Sequence, residues 1–122
     1  MPQTKIYGID KYLNPIKNQL SLVIHSCFVD VLQYPSEKRF HRFFPMDKLD
    51  FIFPSDKSQS YLVIEISMFE GRSIELKKNL IRLLIKRISE KFRISSNDIE
   101  ITIFETPKCN WGVRGVPGDE LG

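Results

Sequence analysis

The sequence predicts an α+β domain in which two tandem βαβ units build one four-stranded mixed sheet with two helices on one face. Three observations carry that expectation. Short apolar runs rich in β-branched residues open and close the segment 61–112, with a longer stretch of four-residue apolar spacing between them. The same strand, helix, strand pattern occurs earlier, over residues 2–45. A strand followed by a helix and a second strand implies a right-handed crossover, so the two strands of each unit should lie parallel in one sheet. The 122 residues are then a single domain, residues 1–122, made of pseudo-repeats 2–45 and 61–112 joined by a connection at 46–60.

The second unit is the more regular. Tyr61 to Met68 reads Tyr-Leu-Val-Ile-Glu-Ile-Ser-Met, too short for an ordinary helix and suited to a pleated, buried position. Gly71 breaks the strand. Ser73 is placed to cap a helix, with Glu75 in the first turn, where the helix dipole favours a carboxylate. Leu80, Leu84, Ile88 and Phe92 then recur at four-residue spacing, joined by Leu76, Ile81 and Ile85. Lys77, Lys78, Arg82, Arg87 and Lys91 fall largely on the opposite face. Ser95-Ser96-Asn97-Asp98 is a turn cluster, and Ile99 to Phe104 alternates like a half-buried strand.

In the first unit, Gln3 to Ile9 reads as a strand and Asp10 to Leu13 as a loop. Asn14-Pro15 predicts a helix start, a capping side chain followed by proline at the first helical position. Ile16, Leu20, Val23, Ile24, Cys27, Phe28, Val31 and Leu32 mark a broad apolar face. With Lys17 and Asp30 as its few charges, this helix should be covered on more than one side. Tyr34-Pro35-Ser36 ends it, and Arg39 to Phe44 reads as the second strand, closed by Pro45. The connection is the least regular stretch, with Leu49, Phe51, Ile52 and Phe53 expected to tuck it against the body.

Composition narrows the function classes. No apolar run approaches the ~20 residues of a membrane-spanning helix, and no signal-peptide pattern opens the chain. Cys27 and Cys109 give no disulfide framework, which makes the cytoplasm the default compartment. The net charge of +3 suits anionic ligands without demanding nucleic acid. Lys38 to Phe44 interleaves basic and aromatic residues as single-strand-binding surfaces do, yet the same alternation describes a strand with one buried face. Two histidines and two cysteines are scattered without metal-ligand spacing, and no glycine-rich phosphate loop is present. The expected partners therefore include no metal, cofactor, nucleic acid or membrane.

Met1-Pro2 is the remaining signal. Proline is small enough for the initiator methionine to be removed, which would leave Pro2 with a free secondary amine. The plain alternative is that Pro2 merely begins a strand, where its missing N–H does little harm.

Phe69-Glu70-Gly71-Arg72-Ser73 with Glu75 and Lys77, then Phe104-Glu105-Thr106-Pro107 and Asn110-Trp111-Gly112, closely resemble 4-oxalocrotonate tautomerase and its relatives. With Pro2 at the head of a fused pair of units, about 110 residues resemble the double-length tautomerases. That group includes the cis-3-chloroacrylic acid dehalogenase-like proteins and macrophage migration inhibitory factor. The resemblance implies a β-α-β-β-α-β subunit that assembles into a homotrimer with sites near subunit interfaces. It also implies a cofactor-independent isomerase acting on a small carboxylate-bearing substrate.

Residue by residue, it implies Pro2 as general base, active once Met1 is gone because an acylated proline nitrogen is not a base. Arg72 matches the substrate-binding arginine, whose planar fork suits a carboxylate or dienolate oxygen. Trp111 matches the aromatic wall over the substrate, and Asn110 beside it could add a polar contact. A second cation is expected from the strand of a βαβ unit. Arg39 is the nearest candidate, although a gap-free count lands on Phe40 and the second-half counterpart is Glu100. Asp10-Lys11-Tyr12 stands where the first half would carry Glu-Gly-Arg, so one of the two pseudo-equivalent sites should be dead. Tyr7 and His41 are the alternative bases.

The expected activity is keto–enol tautomerisation of a small 2-oxo or dienol carboxylic acid. Two alternatives stand beside it: a non-catalytic trimeric binding protein of the same fold, and a weak hydratase or dehalogenase. The dehalogenase pattern is poorly met. Phe69 stands where a second arginine is used, Val29 where the first helix supplies a histidine (His25 lies one turn earlier), and Val113 and Arg114 offer no acid.

Overall fold

The computed structural model describes residues 2–122. Its frame is a four-stranded sheet of β1 (Gln3–Ile9), β2 (His41–Met46), β3 (Leu62–Phe69) and β4 (Ile99–Thr106) in the order β2-β1-β3-β4. Pairs β1/β2 and β3/β4 are parallel, and β1/β3 is antiparallel. The helices α1 (Asp10–Leu13), α2 (Lys17–Leu32) and α3 (Ile74–Phe92) follow, and a two-stranded hairpin of β5 (Gly112–Val113) and β6 (Val116–Pro117) closes the chain. The α+β class, the mixed sheet and its two long helices are as the sequence predicts. Among the described residues no helix is long and apolar enough to cross a membrane.

Period-two alternation explains which face is buried. Thr4 and Ile6 on β1, and Leu62, Ile64, Ile66 and Met68 on β3, are sealed beneath the helices. Leu20, Ile24 and Phe28 of α2 meet them from above, with Leu80, Leu84 and Ile88 of α3. The intervening residues Gln3, Lys5, Tyr7, Val63, Glu65 and Ser67 point to the other, open face. Across the helix pair, Arg87 Nη1 donates to Ser26 Oγ at 2.9 Å and Nη2 to Asp30 Oδ2 at 2.6 Å.

Local chemistry sets the element ends. Ser73 caps α3 as expected, its Oγ accepting from Leu76 N at 3.1 Å. The start of α2 differs from the expectation at Asn14-Pro15. Residues 10–13 coil into the one-turn α1, Asn14 serves as its C-terminal residue, and α2 begins at Lys17 behind Ile16 without a side-chain cap. The Asn14 side chain is spent on Lys17 Nζ at 3.1 Å. Strand β2 starts two residues later than read and runs through Pro45, which is tolerated because β2 is an edge strand.

The connection is half tucked. Phe51, Phe53 and Tyr61 form one aromatic cluster with centroids 5.0–5.5 Å apart. Leu49 and Ile52, expected inside, are 80% and 92% exposed. A buried carboxylate that the sequence did not advertise anchors this segment: Asp98 accepts from Ser58 N at 2.9 Å and Ser58 Oγ at 2.6 Å.

The parallel pairs of the two halves share one register. Thr4 faces His41 and Leu62 faces Ile99, an offset of 37 residues in each case (41 − 4 and 99 − 62). Both halves therefore pair their two strands at the same sequence offset.

Candidate active site at the start of β1

The antiparallel register Gln3↔Ser67, Thr4↔Ile66 sets the head of β1 against the tail of β3. Extended by one step, it puts Pro2 beside Met68. Pro2 is buried and shares the face of Thr4. The amine chemistry expected of Pro2 depends on Met1, which lies outside the described residues.

Directly after β3 comes the turn that carries Arg72. Glu70 N donates to Thr106 O at 3.1 Å, tying the turn to the end of β4. Gly71 has φ +120°, a conformation that L side chains rarely adopt, so glycine lets the chain swing into the Ser73 cap. Arg72 is half-buried, and among the described residues it has no carboxylate partner.

Trp111 is folded back onto the same end of the sheet. Its ring packs edge-on against Phe69, centroids 5.1 Å apart and planes at 72°. Gly118 N donates to Trp111 O at 2.7 Å. A Cβ on Gly118 would lie 2.6 Å from Lys108 O and 3.0 Å from Phe69 Cζ, so only glycine lets the tail lie this close.

Trp111 and Asn110 line a cleft of about 340 Å3 with Gln3, Lys5, Arg42, Ser67, Thr106 and Gly112. The cleft opens on the face of the sheet away from the helices. Arg42 Nη2 donates to Gln3 Oε1 at 3.3 Å. Neither Lys5 nor Arg42 forms an ion pair among the described residues.

Arg39 is placed elsewhere. It lines a different pocket with Asn18, Ser21, Leu22, His41 and Phe43, on the helix side of β2. Arg42 and Lys5 were not singled out from the sequence. The signal that could have found them is strand parity: Arg42 and Phe44 alternate with the helix-facing His41 and Phe43, and Phe44 stacks on Tyr7 of the open face at 4.9 Å.

Beneath the start of β1, on the helix side, lies a polar cluster. His41 is the register partner of Thr4, and its Nδ1 lies 2.7 Å from Ser21 Oγ. The His25 ring stands 5.9 Å from that of His41 and 6.1 Å from that of Tyr34. His25 Nε2 donates to Pro35 O at 3.1 Å, because a carbonyl can only accept. Burial, then the charges of His25 and Arg39, push the His41 pKa down to about 4. Burial raises the Tyr34 phenol, while the charges of Arg114 and Arg72 oppose it, so both arginines reach this end of the sheet.

Of the alternative bases, His41 is neutral at pH 7 but engaged beneath α2. Tyr7 is held above its ordinary pKa by burial first and Glu65 second. Among the described residues no three His, Cys, Asp or Glu side chains are grouped as metal ligands.

Residues 38–114 match the family model described as "Tautomerase enzyme". The chain belongs to the tautomerase family. The match contains the Glu70-Gly71-Arg72-Ser73 turn and Trp111, and 2-hydroxymuconate tautomerase of Comamonas testosteroni is 40% identical over 58 residues, covering 48% of this chain and 92% of that relative. In fold, this tautomerase-family chain is similar to native fused 4-OT (TM-score 0.86, 17% identity, 98% of each chain). It is also similar to FG41 malonate semialdehyde decarboxylase inhibited by 3-bromopropiolate (TM-score 0.80, 21% identity, 89% of this chain and 86% of that one).

The histidine geometry has a pH consequence. A group whose folded pKa is lowered costs no stability above its unfolded value of 6.5, because both states are then neutral. As pH falls from 6.5 towards about 4, the unfolded chain takes up a proton that the folded one refuses. Stability should drop across that window by at most about 3 kcal/mol. Urea titrations at stepped pH should show the drop in the wild type and its reduction in His41→Gln; equal slopes would show that His41 is not the group responsible.

Proposed function

We propose that this family member is a cofactor-independent tautomerase in which Pro2, freed by removal of Met1, is the general base. Its substrate class is a small 2-oxo or dienol carboxylic acid. The observation that carries the reading is the convergence of three features at one end of the sheet. The buried head of β1 bears Pro2, the turn after β3 bears Arg72, and the tail bears Trp111 against Phe69.

The chemistry follows from these positions. A neutral secondary amine takes a proton from the carbon next to the carbonyl, and the electron pair moves onto the carbonyl oxygen as an enolate. The same amine, now protonated, returns a proton at carbon or oxygen to complete the isomerisation. An unperturbed chain amine is largely protonated at neutral pH, with a pKa of about 8. Burial and neighbouring cations disfavour the charged form; Pro2 is buried, and the charges of Arg72 and Arg114 act on Tyr34 at the same end of the sheet. Arg72 can pair with a substrate carboxylate or stabilise the developing enolate oxygen through a fork of N–H donors. The Trp111–Phe69 wall shields that charge from water.

The same reading includes a homotrimer; the similar fused 4-OT proteins are symmetric or asymmetric trimers. Leu49, Ile52 and Phe104 are 80%, 92% and 47% exposed, apolar surface of the kind subunits cover. Sedimentation equilibrium should report three chains per particle, and a monomer throughout would remove the trimer from the account.

The base is tested by Pro2→Ala, which keeps an amine at the terminus but makes it primary and more mobile. Ketonisation of phenylenolpyruvate or 2-hydroxymuconate should fall by roughly 10²–10⁴-fold, the usual contribution of a positioned base. Activity unchanged in this variant would assign the base elsewhere. Processed wild-type protein with no turnover of any enolisable 2-oxo acid would favour a trimeric binding protein instead.

A further inference from the structure

A second pocket, of about 240 Å3, lies at the end of the sheet away from Pro2, where β1 stops and β3 starts. Its floor is aliphatic: Ile9, Leu13, Leu62 and Ile94 line it and are all buried. The single turn α1 builds one side by docking Leu13 over Gly8, where an added Cβ would lie 3.1 Å from Leu62 Cδ2 and 3.2 Å from Leu13 Cβ. The rings of Tyr12, Tyr61 and Phe92 complete the lining. Tyr61 is fixed from outside the pocket. Its hydroxyl donates to Glu100 Oε1 at 3.0 Å, and Phe51 and Phe53 pack on its ring with centroids 5.5 and 5.0 Å away.

Lys11 is the one charged side chain among the described residues that line this pocket. Its ammonium stands 5.8 Å from the centroid of the Tyr12 ring, and none of the ion pairs of the described residues draws on it. The neighbouring carboxylates are engaged, Glu100 by the Tyr61 hydroxyl and Asp10 Oδ1 by the Lys11 backbone N–H at 2.7 Å. Gln59, exposed, and Ser60, half-buried, bring an amide and a hydroxyl to the same pocket.

We propose that this pocket is a binding site for a small aromatic carboxylate, with its single ring on the aliphatic floor and its carboxylate at Lys11. Among the described residues the pocket contains neither a chain-terminal amine nor an arginine, so the ligand is held and not turned over. The site stands independently of the Pro2 chemistry.

Size, shape and charge together select this class. An apolar cavity of about 150 Å3 takes up benzene, so about 240 Å3 admits one ring with a carboxylate and not a nucleotide or a peptide. Aromatic rings favour offset or edge-on contact with other rings, and Tyr12, Tyr61 and Phe92 offer it from separate elements. The Lys11 ammonium supplies a charge-assisted hydrogen bond to the carboxylate. Because Lys11 is exposed, the charged pair forms at the mouth and keeps part of its hydration while the ring is buried.

The test uses benzoate, with benzamide as its uncharged isostere and acetate as the charge without the ring. The methyl resonances of Ile9, Leu13 and Ile94 should shift saturably with benzoate, whose ring protons should show NOEs to them. Acetate should leave those methyls unmoved. Benzamide should bind roughly tenfold more weakly than benzoate, as expected when a charged hydrogen bond is lost. Lys11→Gln should bring benzoate down to the benzamide level and leave benzamide binding unchanged. Ile16→Phe, which puts a ring into the pocket from its lining, should abolish the binding of both. Pro2→Ala should bind benzoate as the wild type does.

Methyl shifts that stay linear to the solubility limit of benzoate would overturn the proposal. So would equal affinities for benzoate and benzamide, or for benzoate in wild type and Lys11→Gln. Trp111 is the only tryptophan, and its indole N–H resonance reports the cleft at the other end of the sheet. A benzoate shift of that resonance with the pocket methyls unmoved would place the acid there and overturn the proposal as well. Should Ile16→Phe not fold, Lys11→Gln at its exposed position decides the matter. Saturable binding by a protein that turns over no enolisable acid would leave this site standing and remove the Pro2 chemistry.

Discussion

The antiparallel pairing of β1 with β3 is the constraint on which the rest of the molecule depends. Among the described residues it is the only sheet contact joining the two βαβ halves, since β2 and β4 lie at opposite edges. Its register, Gln3 against Ser67 through Tyr7 against Val63, buries Ile6, Ile64 and Ile66 completely. A slip of one residue would turn all of these outward and bring Lys5 and Glu65 under the helices, an arrangement the core could not tolerate. The same register carries the head of the chain to the end of β3. The turn that bears Arg72 and the tail that bears Trp111 lie at the end of the sheet where β1 begins, because the two halves run in opposite directions through this one seam.

The head of β1 thereby has two unlike sides. On the open side it faces a cleft with two cations, amides and an indole. On the helix side it rests on Thr4, His25, Tyr34 and His41, a polar patch in an otherwise apolar core. Burial holds His41 neutral well below pH 7, so His41 brings polarity to this patch without a charge of its own. Positive charge at this end of the sheet comes instead from Arg72 on the turn and Arg114 on the tail, which act on Tyr34. That division suits a site that needs a neutral amine and an anionic substrate together.

The regular elements were legible in the sequence because their local and tertiary preferences agree. In α3 the Ser73 cap, the Glu75 first turn and the four-residue apolar spacing all favour one helix, and it forms where they place it. The start of α2 was less legible, since Asp10 to Leu13 had no periodicity of its own and folds into a turn of helix by docking Leu13 into the core. Asp98 gave no signal, because its partner Ser58 lies 40 residues away. The Glu-Gly-Arg-Ser turn and Trp111 could be read from local spacing. The cations of the cleft could not, because which arginine of β2 meets Trp111 depends on strand parity and on a pairing between distant segments. A shift of one residue separates Arg39 from the face that Phe40, Arg42 and Phe44 share.

The central claim is that the amine of Pro2, freed at the chain terminus, is the reactive group of this site. It is tested most directly by treating the processed protein with 3-bromopropiolate at neutral pH and locating the adduct by mass spectrometry of its peptides. The account predicts a single adduct on the Pro2 nitrogen, with stoichiometric loss of turnover and protection by substrate. Full activity after modification, or an adduct confined to the exposed Cys109 or another side chain, would contradict it.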